Sequence, residues 1–149
     1  GFANAPVAQS FEVTMVASSS VTHDIPITAL ADFQVQEPVL LILTHQGYRT
    51  SNSDRANGFW LLRVMEEGGS HYVHAWTVST DSGNPANSFT PASDVTFSMP
   101  DAETIRVTIA CGAGVGSGGR GAKVRGNVSR GLAGALQGAL ENLATPLTL

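Results

Sequence analysis

A chain of 149 residues has room for one domain with a real core, and two domains would be crowded. Apolar residues make up 42% and charged residues only 13%, about half the usual share, which favours a β-rich protein packed against its own copies or working outside cells over a free cytosolic enzyme. The net charge of −4 divides into −8 over residues 1–103 and +4 over residues 104–149, where Arg106, Arg120, Lys123, Arg125 and Arg130 face Glu141 alone.

Residues 1–9 read as an arm without periodicity. From Ser10 to Val16 apolar Phe11, Val13 and Met15 alternate with Glu12 and Thr14, the pattern of a half-buried strand. After the turn at Ser18–Ser20, Val21, His23, Ile25 and Ile27 alternate with Thr22, Asp24 and Pro26. The proline, which cannot donate to a ladder, makes this an edge strand.

Pro38 to His45 is the most apolar run. Five consecutive aliphatics, Val39 to Leu43, place apolar groups on both faces, so an interior strand is expected. Residues 46–57 read as a polar loop, Gly58 to Met65 and Ser70 to Val78 as a hairpin turning at Glu66–Gly69, and 79–94 as a second long loop. Val95 to Met99 and Ile105 to Cys111 complete a set of about seven strands. The expected fold is all-β, an antiparallel β-sandwich or jelly-roll-like body over 10–111. It carries the arm at 1–9 and a Gly-rich basic segment at 112–149. Asn127 or Ser129 is placed to cap a helix running to Ala144, with Leu132, Leu136, Leu140 and Leu143 in one stripe. The expected core is Phe11, Val13, Val39, Leu41, Leu43, Leu62, Val64, Val107 and Ile109.

No motif assigns a catalytic residue, a metal site or a cofactor. Gly114-x-Gly116-x-x-Gly119 matches the dinucleotide fingerprint by letters. It follows the last strand of the fold, with no room for a doubly wound sheet. His71 and His74 are three apart on a strand and point to opposite faces, so they do not share an ion. Cys111 is the single cysteine and implies no internal disulfide. No stretch approaches the ~20 apolar residues of a membrane helix, no charged-then-apolar leader opens the chain, and Ala5 stands where myristoylation wants Ser or Thr.

Architecture of this kind resembles that of viral structural proteins, fibre tips and lectins, an analogy of fold class. The leading expectation is a non-enzymatic structural subunit of a symmetric assembly, a virion, tail or fibre component in a virion or extracellular particle. Its partners would be copies of itself or other subunits. They would be held through Arg120, Lys123, Arg125 and Arg130 and the stripe Leu132, Leu136, Leu140 and Leu143. The alternative is a lectin-like module binding a glycan through Tyr48, Arg49, Asn52, Asp54, Arg55 and Asn57, with the 79–94 loop. Tyr72, His74 and Trp76 would form an aromatic strand face beside them. Nucleic acid is disfavoured: the basic cluster has no interleaved aromatics, and the body is acidic.

Overall fold

In the computed structural model the described residues are 8–30, 33–35, 37–49, 52–81, 89–115 and 121–130; side chains at 46–49 and 52–55 are not described. The apolar run becomes β3 (Pro38–Arg49), third of five strands in the larger sheet, in the order β1-β8-β3-β4-β5. Its neighbours are β4 (Asn52–Glu67) and β8 (Ala122–Arg130), both antiparallel. β1 (Ala8–Thr14) and β5 (Ser70–Asp81) form the two edges. A smaller sheet of three strands has the order β2-β7-β6, from β2 (Ser20–Pro26), β7 (Thr104–Ala110) and β6 (Val95–Asp101). The strand carrying Pro26 is indeed an edge, and the chain is an all-β sandwich.

Alternation decides which face each residue takes. Val39, Leu41 and Leu43 are buried with Trp60, Leu62, Val64, Val124 and Val128 against Ile25, Val95, Ile105, Val107 and Ile109 of the smaller sheet. Seven of the nine expected core residues belong to this cluster, Phe11 packs against it half-buried, and Val13 is buried on β1. Between the sheets run a 3-10 turn (Ile27–Ala29) and the single-turn helix α1 (Pro91–Asp94), with Ile27 and Phe89 buried. The two-residue turn Gly68–Gly69 has φ of 58° and 83°, the left-handed geometry that matches strand twist in a tight hairpin and that glycine adopts without strain.

Two expectations are corrected. Residues 46–57 are not a loop: β3 and β4 stay paired to Arg49↔Asn52, so this stretch is a two-stranded ribbon. Residues 122–130 are neither a flexible segment nor a helix start. Asn127 and Ser129 lie inside β8, which fills the slot between β1 and β3. Ala122, Val124 and Val128 face the core while Lys123, Arg125, Asn127 and Ser129 face away, a period of two that a helix could not satisfy. The body therefore takes in strand from the region expected to be an appendage. The Leu132, Leu136, Leu140 and Leu143 stripe, its expected helix and Arg120 lie outside the described residues.

Candidate functional site

The outer face of β4 and β5 brings together Phe59, Arg63, Tyr72, His74 and Trp76. β5 is the last strand of its sheet, twelve residues long, and contains neither Pro nor Lys, the residues that usually blunt an edge. Beyond Val73 every side chain from His74 to Ser79 is exposed. Tyr72, His74 and Trp76 share the outward face, opposite Met65, Arg63 and Leu61 of β4. The register then slips: Trp60 pairs with Thr77 and Phe59 with Ser79, leaving Val78 as the extra residue of a bulge, 60% exposed. Trp76 at 41%, Tyr72 at 43% and Phe59 at 37% extend the apolar surface around it.

Within this patch the rings are ordered by contact. The His74 imidazole lies 4.1 Å from the Trp76 ring, tilted by 39°, and the Arg63 guanidinium carbon sits 5.5 Å from the Trp76 centroid. A cation at that distance is attracted to the ring face and holds the indole in one orientation. Arg63 Nε is buried and meets no acceptor among the described residues. The aromatic strand face anticipated from Tyr72, His74 and Trp76 is therefore present, with Arg63 as an addition. Its signal was readable in Leu62-Arg63-Val64, where the charge must face away from two core residues.

The six loop residues of the glycan alternative are spread along the ribbon. Register assigns positions 48, 55 and 57 to one face and 49, 52 and 54 to the other, so Tyr48, Arg55 and Asn57 are separated from Arg49, Asn52 and Asp54. Of these, Asn57 is exposed. β5 continues to Asp81, and α1 occupies 91–94, so the second loop is shorter than 79–94.

The basic residues expected to reach other subunits are partly engaged within the chain. Arg125 Nη2 donates to Glu12 Oε1 at 3.0 Å, and Arg130 Nε donates to Glu37 Oε1 at 2.8 Å. Lys123 is half-buried on β8. Arg106 makes a two-pronged pair with Asp24 across β2 and β7, at 2.8 and 3.0 Å. That guanidinium is the main reason the Asp24 carboxyl titrates below its usual value.

Three further groups are structural in character. His45 is 1% exposed, packs edge-on to Phe89 at 5.2 Å, and has no hydrogen-bond partner at either ring nitrogen among the described residues. Burial lowers its pKa to about 4. Cys111 is buried, and loss of solvent pushes its thiol upward, away from reactivity. His71 Nε2 lies 3.6 Å from Glu66 Oε2, whereas His74 lies against Trp76. Among the described residues no three His, Cys, Asp or Glu side chains converge on a metal position. The sequon Asn127-Val128-Ser129 is in the middle of a sheet with Asn127 1% exposed, closed to glycosylation in the folded chain.

No family model and no curated protein matches the chain. Among solved structures, it is similar to the tailspike protein of Acinetobacter phage vB_ApiP_P1, at 16% identity and a TM-score of 0.40, over 85% of this chain and 22% of that one. It is also similar to the tailspike protein of Acinetobacter baumannii phage AM24, at 15% identity and a TM-score of 0.44, over 84% of this chain and 26% of that one. The chain thus spans about a quarter of the length of either tailspike.

Proposed function

We propose that the chain is a non-enzymatic structural subunit of a symmetric assembly, a virion, tail or fibre component, and that it meets its neighbours through β5. One observation carries this reading. An edge strand whose outer backbone groups meet no ladder partner among the described residues, and which exposes Tyr72, Trp76 and Val78, is a surface soluble monomers normally avoid. A neighbouring subunit would extend the sheet along β5 and cover Trp76 and Val78. This replaces the basic cluster as the expected contact, since Arg125 and Arg130 are already paired within the chain. The test is the mass of the full-length protein in solution by light scattering, at micromolar concentration. An oligomer that W76S/V78S converts to monomer with unchanged circular dichroism supports the reading. A full-length chain that is monomeric throughout overturns it.

A second reading has its own observation. The Trp76 ring, steadied by His74 and Arg63 and open to solvent, is the type of surface that stacks on the apolar face of a sugar ring. Here the glycan platform is the β4–β5 face rather than the 46–57 ribbon. Retention of full-length protein on a glycan array, lost in W76A, supports it. An array without hits removes it.

A further inference from the structure

Of the four arginines whose side chains are described, three are held by acids: Arg106 by Asp24, Arg125 by Glu12 and Arg130 by Glu37. Arg63 meets no carboxylate among the described residues. Its ladder neighbours on the outer face are Pro38 of β3 and His74 of β5, and along β4 the same face carries Leu61 and Met65. None of these is acidic, although residues 1–103 carry a net charge of −8. The contact Arg63 does make is with the Trp76 ring, 5.5 Å from guanidinium carbon to centroid. Attraction to a ring face uses the charge of the guanidinium and leaves its N–H donors unspent. Its Nε is one such donor, without an acceptor among the described residues. Beside it Trp76 is 41% exposed and Tyr72 43%, so an unspent cation adjoins an open aromatic surface.

We propose that Arg63, His74 and Trp76 form a subsite for a glycan bearing a single carboxylate, the indole carrying the apolar face of a sugar unit and Arg63 the acid group of that unit or the next. This assignment rests on the glycan reading of the β4–β5 face and gives it a ligand class. A carboxylate is planar, and its two oxygens match the fork of a guanidinium. Arg106 and Asp24 make that pair within this chain, at 2.8 and 3.0 Å. One cation answers one negative charge. A polyanionic chain would set many charges against a body that is itself acidic, with repulsion growing at each. A neutral glycan would occupy Trp76 and leave the Arg63 donors to water. An acidic peptide supplies the charge alone, whereas a sugar ring also offers hydroxyls to Tyr72 and His74, which share the face.

A glycan array of oligosaccharides with one uronic or sialic acid unit, each printed beside its carboxyl-reduced form, tests this with the full-length protein. The acidic form should be retained at least about tenfold better, the worth of a charge-assisted hydrogen bond. R63Q should bring that ratio to about one with unchanged circular dichroism, because a neutral amide lacks both the charge and the fork. The ratio is insensitive to any loosening of Trp76, since both forms stack on the same indole. Equal retention of the two forms by the wild type overturns the proposal and leaves a neutral glycan platform standing. A preference for the acid that survives R63Q overturns it as well, and an array without hits removes both readings. Should R63Q lose its fold, the wild type decides. The acidic member of a retained pair should then shift the Arg63 Nε–H signal in heteronuclear spectra, and the reduced member should leave it in place. A signal that responds to neither, or to both alike, overturns the assignment.

Discussion

The imidazole of His23 lies flat on the ring of Phe11, with centroids 3.9 Å apart and planes 8° from parallel. Phe11 belongs to β1 of the larger sheet and His23 to β2 of the smaller, so this stack joins two strands that share no ladder and are otherwise linked by a Gln9 Nε2 hydrogen bond to the Pro26 carbonyl, at 3.0 Å. The Phe11 ring in turn lies over Gly126 of β8, where a Cβ would overlap it. Burial lowers the His23 pKa, and the neighbouring Asp24 opposes that shift.

Gly126→Ala should therefore push Phe11 off His23 and destabilise the fold by ~1–3 kcal/mol, the usual cost of overfilling a packed site. Phe11→Ala should cost roughly 2 kcal/mol, less than the ~3–5 of a fully buried Phe because this ring is half-buried. The double variant should cost less than the sum, because the clash disappears with the ring. Urea denaturation of the three variants measures it, and simple additivity would refute the contact.

His45 predicts acid sensitivity. The unfolded chain takes up a proton near pH 6.5, but the folded chain does so only near 4. Stability is thus full above about 6.5 and falls as pH drops toward about 4, by about 3 kcal/mol in all. His23 acts in the same direction. His45→Leu should remove most of the slope between pH 6.5 and 4.5 in thermal melts. An unchanged slope would mean that His45 finds a partner for its proton.

Leu41→Ala should cost ~2–5 kcal/mol, since its side chain is fully enclosed in the middle of the central strand. A loss below about 1 kcal/mol in chemical denaturation would contradict the position of β3.

A chain ending at Cys111 should not fold. It lacks β8, so β1 loses its ladder partner and β3 one of two among the described residues. Dispersed amide proton signals from that fragment would show that the smaller sheet and a three-stranded remnant suffice.

How much of this was legible follows from what each residue meets. Val39–Leu43 announced the central strand because both of its faces are buried, Leu41 in the core and Ile42 on the far side. Pro26 announced an edge because a missing N–H is tolerable only there. β8 escaped notice because its inward pattern is interrupted. Ala122, Val124 and Val128 alternate, but position 126 is Gly, the space for its side chain being filled by Phe11 from another strand. Alternation within one segment cannot reveal a ring supplied from 115 residues earlier in the chain. The 46–57 ribbon escaped for a different reason. Gln46 to Asn57 is almost wholly polar in sequence, so no apolar alternation marks a strand there. Gly58 repeats the first lesson, as its missing side chain leaves room for the Trp60 indole.

The late arrival of β8 has a consequence for synthesis. During translation β1 and β3 emerge with an empty lane between them, and the strand that fits it is made last among the eight. Until residue 130 is available, two ladder edges of the larger sheet stand open beside each other. The domain is therefore completed by insertion rather than by zippering outward, a non-local closure that is slow for its size. On crowded polysomes, the β8 of one nascent chain fits the lane of the next equally well, so exchange of this strand between neighbouring chains competes with self-closure.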